Sequence, residues 1–178
     1  LFKKDRKEFE KKWNDIKIVI EYGMLSEEKF YEKSEKFALY PTVDDKFYTY
    51  EELYNKIKAK QTDKDDKLII LYASDKQAQH SYIQNAKNKG YEVLLLDSPI
   101  VSHLIQKLET SQENIQFARV DSDHIDNLIN KDKNKISKLN DDQKKELEEI
   151  VKNIINDDKF VIKLESMDSK DNPCLLYT

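Results

Sequence analysis

Acidic and hydroxyl residues follow three predicted strands, in positions where their side chains could carry out chemistry. They are Ser74-Asp75, Asp97-Ser98 and Asp121-Ser122-Asp123. Ligands of open parallel sheets bind beyond the carboxyl ends of the strands. Carboxylate oxygens suit Mg²⁺. The four aspartates in these groups would therefore fit an enzyme of the phosphoryl-transfer or receiver type.

Helix capping is a second interpretation of the same residues. Each group directly precedes a predicted helix, where Ser or Asp can accept hydrogen bonds from the unpaired backbone amides. Capping explains all three positions without a ligand, so it is the favoured interpretation. The two glycines of the chain, Gly23 and Gly90, both fit helix ends. No Gly-rich phosphate loop is predicted, and a self-contained nucleotide site is not expected.

The remaining residues with reactive or metal-binding side chains show no useful spacing. His80, His103 and His124 lie far apart in the sequence, each in a predicted helix, and Cys174 is the single cysteine. Zinc sites need closely spaced pairs of such residues. Trp13 falls on the apolar face of a predicted helix, which favours a core position. We therefore predict no catalytic, cofactor-binding or metal-binding residue.

Composition indicates a folded protein with a strongly charged surface. The 178 residues are enough for one or two compact units. Hydrophobic residues make up 38% and charged residues 37%, while ten Tyr and seven Phe can fill a core. Basic and acidic residues are interspersed at a net charge of -4, which argues against nucleic acid as a partner. One cysteine and the lack of a long apolar run predict a cytoplasmic protein without membrane contact.

Three helices are predicted over residues 1–60. An apolar face formed by Phe9, Trp13 and residues further along predicts a first helix that ends at Gly23. Ser26 is the predicted N-cap of a second helix. Thr49 and Glu52 form a capping box for a third. A polar connector at 61–66 should follow.

Strands and helices then alternate, which predicts the fold class. The predicted order is strand 68–73, helix 75–89, strand 91–96, helix 99–109, strand 115–120 and helix 123–129. A strand spacing of about 20 to 25 residues suits parallel crossovers. We therefore predict an α/β fold, with a small three-layer α/β/α unit and a parallel sheet. A truncated α+β segment should follow, with a helix from Asn140 and strands at 160–164 and 174–177. The start at Leu1 and the apolar end suggest a piece of a longer protein.

Four stretches carry a resemblance to a known family. They are Leu1-Phe-Lys-Lys-Asp-Arg-Lys-Glu-Phe9, Tyr22-Gly-Met-Leu25, Phe37-Ala-Leu-Tyr-Pro41 and Lys89-Gly-Tyr-Glu-Val-Leu-Leu-Leu96. In this order they resemble the middle segment of bacterial Hsp90, the HtpG family of molecular chaperones. The resemblance implies that residues 1–60 are the helical connector of the middle domain. Residues 61–132 would be its small α/β/α subdomain, and residues 133–178 the start of the C-terminal domain.

The resemblance also implies a function for the whole protein and a role for this segment. The family consists of ATP-dependent dimeric chaperones that assist the folding of client proteins. ATP and Mg are bound in an amino-terminal domain, and the dimerisation helices would follow Thr178. The segment itself is then expected to be a monomer without a nucleotide site or enzymatic activity. Its expected contribution is client-binding and interdomain-coupling surface, with clients and other chaperones as partners.

Within the segment, the helix predicted at 99–109 is the implied client contact. Its outward residues include Ser102, His103 and Gln106. Relatives carry Ile-Asp-Glu followed by Trp or Tyr where this chain has Ile100-Val101-Ser102-His103. The three outward residues are the predicted client-binding residues. A plain protein-interaction module without chaperone function stays open as an alternative.

Overall fold

The computed structural model describes residues 2–129, 139–155 and 164. The chain divides into two compact units, the first containing residues 2–129 and the second containing the described residues after them. The helices are α1 Arg6–Ser26, α2 Glu28–Ser34, α3 Tyr50–Gln61, α4 His80–Asn88, α5 Val101–Ser111, α6 Ile125–Leu128 and α7 Asp141–Ile155. The strands are β1 Tyr40–Pro41, β2 Phe47–Tyr48, β3 Leu68–Ala73, β4 Val93–Leu95 and β5 Ile115–Arg119.

A three-stranded parallel sheet forms the centre of the first unit. Its order is β4-β3-β5, so β3 pairs with a strand on each side. Leu71 lies opposite Val93 of β4, and Leu68 lies opposite Ile115 of β5. Helices connect the parallel strands, as such crossovers require. The predicted α/β fold with a parallel sheet is therefore confirmed. Strands β1 and β2 form a separate antiparallel pair.

The first apolar core lies between one face of the sheet and helices α1, α3 and α5. Leu68 and Ile70 of β3 point to this side, because alternate residues of a strand face opposite ways. They share the core with Trp13 of α1, Leu53 of α3 and Leu104 of α5. The helices at the start of the chain therefore pack on the same sheet face as α5. A domain boundary after residue 60 stays a prediction.

The second core covers the opposite face of the sheet. It contains Ile69, Leu71 and Ala73 of β3, together with Ile83 of α4 and Ile125 of α6. Helices on both faces explain why the strand is a continuous apolar run rather than an alternating one.

Helix α1 confirms the predicted apolar face but continues beyond the predicted end. Phe9 and Trp13 are buried, yet the helix passes through Gly23 and ends at Ser26. A Cβ atom on Gly23 would lie 2.8 Å from Cε1 of Phe30. The glycine therefore permits close approach of the two helices, and its predicted role as a helix end is wrong.

The start of α2 also differs from the prediction. Ser26 is the last residue of α1, so it does not cap α2. The N-cap is Glu27, whose carboxylate accepts a hydrogen bond from the backbone N–H of Lys29. A side chain other than the predicted serine therefore satisfies one of the amides that the helix start leaves unpaired.

Several other helix ends follow the sequence pattern. Thr49 and Glu52 form the predicted capping box at α3. Gly90 follows the end of α4 with a φ of 75°, a conformation that glycine adopts without strain. Asn140 and Gln143 exchange hydrogen bonds at the start of α7. Apart from Leu164, the strands predicted at 160–164 and 174–177 lie outside the described residues. Among the described helices, none combines the length and apolar character that crossing a membrane requires.

Gln61 connects α3 to the sheet and is buried, not part of an exposed polar connector. It is the last residue of α3 and only 1% exposed. Its Nε2 donates to the carbonyl oxygen of Ile69 at 2.9 Å, and its Oε1 accepts from the N–H of Glu92 at 2.6 Å. Pairing of β3 with β4 begins only at Leu71 and Val93. The amide therefore satisfies two backbone groups that precede the β3–β4 ladder.

We predict that Gln61→Leu lowers the free energy of unfolding by about 2 to 6 kcal/mol. Leucine keeps the volume but leaves two backbone groups without their partner, each costing about 1 to 3 kcal/mol. Urea unfolding followed by circular dichroism measures the change. The matched control is Gln77→Leu at an exposed position, which should change stability by less than about 0.5 kcal/mol. Equal stability of the two variants would contradict the bridging role of Gln61.

Candidate functional site

Asp75 stabilises the turn that precedes α4. Its Oδ1 accepts hydrogen bonds from the backbone N–H groups of Ala78 at 2.9 Å and Gln77 at 2.8 Å, which lower the pKa of Asp75. Oε1 of Gln79 accepts from the N–H of Asp75. Helix α4 begins only at His80, and its N-cap makes no side-chain hydrogen bond. The prediction that Asp75 caps the helix is therefore wrong, because its side chain closes a turn instead.

The next group, Asp97-Ser98, is divided between two roles. Oδ1 of Asp97 lies 2.5 Å from Nζ of Lys17 in an ion pair with α1. The hydroxyl oxygen of Ser98 accepts a hydrogen bond from the N–H of Ile100 at 3.4 Å. Ile100 itself is the N-cap position of α5 and makes no side-chain capping bond. The aspartate thus joins the β4–α5 connection to α1, and the predicted direct cap of α5 is wrong.

The third group also binds locally. Asp121 pairs with Nε of Arg119 at 2.5 Å, and Oδ1 of Asp123 accepts from the N–H of His124 at 2.6 Å. His124 is the N-cap residue of α6. All four aspartates therefore have amide or cationic partners. Within the described ranges, no group of three or more His, Cys, Asp or Glu is arranged to hold a metal ion.

The three histidines occupy different places in the fold. His80 and His103 are exposed, one at the start of α4 and one on α5. His124 is buried, and its Nδ1 accepts a hydrogen bond from the N–H of Asp126 at 3.4 Å. Cys174 lies outside the described residues. The structure thus brings none of these histidines into a shared site.

Helix α5 presents the predicted client-binding residues to solvent. Ser102, His103 and Gln106 are exposed, whereas Leu104 and Leu108 are buried against the sheet. The orientation of the helix agrees with its apolar periodicity. Binding of clients by the exposed residues stays a prediction.

Polar side chains tie α5 to α2, which the sequence did not indicate. Lys107 forms an ion pair with Glu28, and its Nζ lies 5.0 Å from the centre of the Tyr31 ring. At the end of α5, Nε2 of Gln112 donates to Glu35 at 2.9 Å. These partners are far apart in the chain, so no local pattern could reveal them. The Asp97 ion pair also attaches the segment before α5 to α1.

A cleft beside α1 contains buried polar groups that the sequence analysis missed. We call it the α1 cleft, and it is lined by Trp13, Lys17, Glu21, Met24, Ala38, Leu39, Tyr40, Pro41, Leu95, Leu96, Asp97 and Leu104. The cavity volume of the cleft is about 10 Å³, which is close to the space that one water molecule needs. Nε1 of Trp13 and Oε2 of Glu21 have no hydrogen-bond partner among the described residues.

Glu21 is the electrostatically unusual residue of this cleft. Burial raises its pKa, while a hydrogen bond with Ser98 and the charge of Lys17 oppose the increase. The folded protein is therefore more stable when Glu21 is protonated, and this stability is lost as the pH rises through the folded pKa. The sequence contains one signal for the burial of Glu21. This residue follows Trp13 and Lys17 at a spacing of four residues, so it lies on the side of α1 that contains the buried Trp13.

Comparison with known proteins identifies relatives for most of the chain. No protein-family profile matches it. It is 56% identical to the chaperone protein HtpG of Bacteroides thetaiotaomicron over 135 residues, which cover 76% of this chain and 20% of that protein. It is 40% identical to the chaperone protein HtpG of Porphyromonas gingivalis over 179 aligned residues, covering 99% of this chain and 26% of that protein.

A solved structure is also similar. It is the middle domain of a putative heat shock protein of Plasmodium falciparum, with a TM-score of 0.48 and 18% identity. The match covers 64% of this chain and 47% of that chain.

The two HtpG relatives decide the family. Both are similar over most of this chain, although the chain spans only 20 to 26% of their length. The aligned part of the Porphyromonas protein includes the α/β unit as well as the α7 region. The chain therefore belongs to the HtpG family of chaperones, the bacterial Hsp90 proteins.

Proposed function

We propose that the chain supplies client-binding and interdomain-coupling surface to an ATP-dependent chaperone that assists protein folding. The observation that carries the proposal is α5, which exposes Ser102, His103 and Gln106 while its inner face is buried. A helix with a rigid inner face can present a fixed binding surface. The names of the curated relatives support the chaperone role.

The way in which α5 is attached supports the proposed coupling role. Its Leu104 shares a core with Trp13 of α1, and its Lys107 pairs with Glu28 of α2. Exposed ion pairs contribute about 0 to 1 kcal/mol each, so the shared apolar core provides most of the attachment. A displacement of α5 would therefore also displace α1 and α2. Coupling between a client surface and the rest of the chaperone requires such a mechanical connection.

The whole protein would act as a homodimer in the cytoplasm, with ATP and Mg bound in another domain. Client proteins and other chaperones would be its partners, rather than nucleic acid or membranes. The segment itself would be monomeric and would not be an enzyme. The interspersed surface charges support this choice of partners.

Two alternatives to the chaperone proposal stay open. The first is an enzyme with an acidic phosphoryl-transfer site, which is the weaker candidate, and the second is a plain protein-interaction module. Asp75 accepts two backbone hydrogen bonds, and Asp97 and Asp121 form ion pairs. A phosphoryl-transfer site would need these carboxylates to converge on a metal ion. The interaction module differs from our proposal only in lacking the chaperone role.

We predict that the 178-residue chain does not bind ATP. Gly23 packs against Phe30 and Gly90 ends α4, so neither glycine is in a phosphate-binding loop. Calorimetry with Mg-ATP should give no heat of binding. A Mg²⁺ titration followed by Trp13 fluorescence should likewise show no saturable change. A saturable ATP isotherm in the micromolar range would contradict the prediction and favour the acidic-site enzyme.

We further predict that His103→Ala with Gln106→Ala in the full-length protein weakens protection of clients from aggregation about fivefold. That factor corresponds to about 1 kcal/mol of binding free energy. Both side chains are exposed, so the ATPase rate and the melting temperature should stay nearly unchanged. Light scattering of an aggregating client measures the protection.

The matched control for this variant is Gln77→Ala with His80→Ala. It removes the same two residue types from exposed positions, one in the turn before α4 and one at the start of α4. Because α4 packs on the opposite sheet face, protection should be unaffected. Equal protection by both double variants and the unaltered protein would exclude α5 from the client site. A large loss of stability would show instead that its faces are assigned wrongly.

A further inference from the structure

The polar residues of the α1 cleft form a row along one side of α1. Trp13, Lys17 and Glu21 follow each other at a spacing of four residues, so they lie on neighbouring turns. The row places an indole N–H, an ammonium group and a carboxylate beside one cleft over about 12 Å of helix. Apolar residues of the β1 and β4 regions and Leu104 of α5 form the remaining walls.

Glu21 lacks a cation of its own. It is 8% exposed, and Ser98 is hydrogen-bonded to its carboxylate, but its Oε2 has no hydrogen-bond partner among the described residues. The neighbouring ammonium, that of Lys17, lies 2.5 Å from Oδ1 of Asp97. Two carboxylates thus share one ammonium, so the cleft contains one more acidic group than basic groups among its lining residues. A buried carboxylate oxygen without a partner is unfavourable, so a donor that reached it would be bound.

We propose that the α1 cleft binds a lysine side chain from an extended polypeptide partner, with its ammonium group donating to Oε2 of Glu21. Charge complementarity selects a cation, and the room for about one water molecule selects a group of ammonium size. The methylene stem of the lysine lies against Pro41 and Leu95, the partly exposed apolar residues of the cleft, as such stems do on apolar surface.

Entry requires the Lys17 side chain to move aside. Lys17 is partly exposed, and ion pairs near the surface contribute little stability, so this displacement is inexpensive. The inference goes beyond the chaperone assignment and does not depend on it, because it is argued only from the charges, burial and contacts of this chain's own residues.

Trp13 provides a direct test, because it is the single tryptophan of the chain and lines the cleft. The probe is an acetylated tripeptide amide with lysine between two leucines, titrated into the 178-residue chain. A saturable change in tryptophan fluorescence is expected. The same peptide with Nε-acetyl-lysine keeps the stem but loses the charge, and it should bind at least about tenfold more weakly, a loss of about 1.4 kcal/mol. An equal response to both peptides, or no saturation with the lysine peptide up to about 10 mM, would overturn the proposal.

Glu21→Gln separates binding from stability. It removes the carboxylate charge but keeps the shape, so lysine-peptide binding should weaken at least about tenfold. The melting temperature at neutral pH should stay equal or rise, since a buried charge has been removed. The matched control is Asp15→Asn, at an exposed position of α1, which should bind the peptide normally. Unchanged binding by Glu21→Gln would overturn the proposal.

A second variant keeps the test decisive if Glu21→Gln fails to fold. Asp97→Asn releases Lys17 from its ion pair and lets it turn to Glu21 four residues further on. The internal ammonium would then occupy the site, and peptide binding should weaken although Glu21 is intact. Binding as tight as in the unaltered chain would contradict the proposed competition for Glu21.

Discussion

Burial of β3 on both faces is the constraint on which the rest of the first unit depends. Leu68 and Ile70 contact one core, and Ile69, Leu71 and Ala73 contact the other. A strand with apolar side chains on both faces needs helices on both sides of its sheet. Helices α4 and α6 cover one face, while α1, α3 and α5 cover the other. The packing of the first helices of the chain on the sheet follows from this requirement.

The surfaces available for binding are set by the same packing. Since α1 and α5 share the first core, the inner residues of both are buried and their junction forms the α1 cleft. Packing of Trp13 at this junction also carries Glu21, on the same side of α1, into a poorly hydrated position. The exposed side of α5 is what remains for partners. The packing of α1 and α5 on the first core therefore determines both the α1 cleft and the exposed side of α5.

The sequence predicted elements better than element ends. Strand β3 was predicted with its observed bounds, and the capping box of α3 was found, because both depend on neighbouring residues. The pattern predicts a helix end at Gly23, although the actual role of this residue depends on the Phe30 ring packing against it. The pattern also predicts that the aspartates before α4 and α5 cap these helices directly. Their bonds with a turn and with Lys17 depend on the path of the backbone, which periodicity does not specify.

The sequence by itself determined the alternation of strands and helices, the apolar faces of α1 and α5, and the similarity to HtpG chaperones. These properties are local, or are carried by short stretches of residues in order. Only the tertiary structure decided that Gln61 joins Ile69 to Glu92, and that Glu21 is buried while Lys17 pairs with Asp97. The physical reason is that each of these side chains meets groups distant in the sequence. Hydrogen bonding and desolvation therefore depend on how the sheet and helices come together.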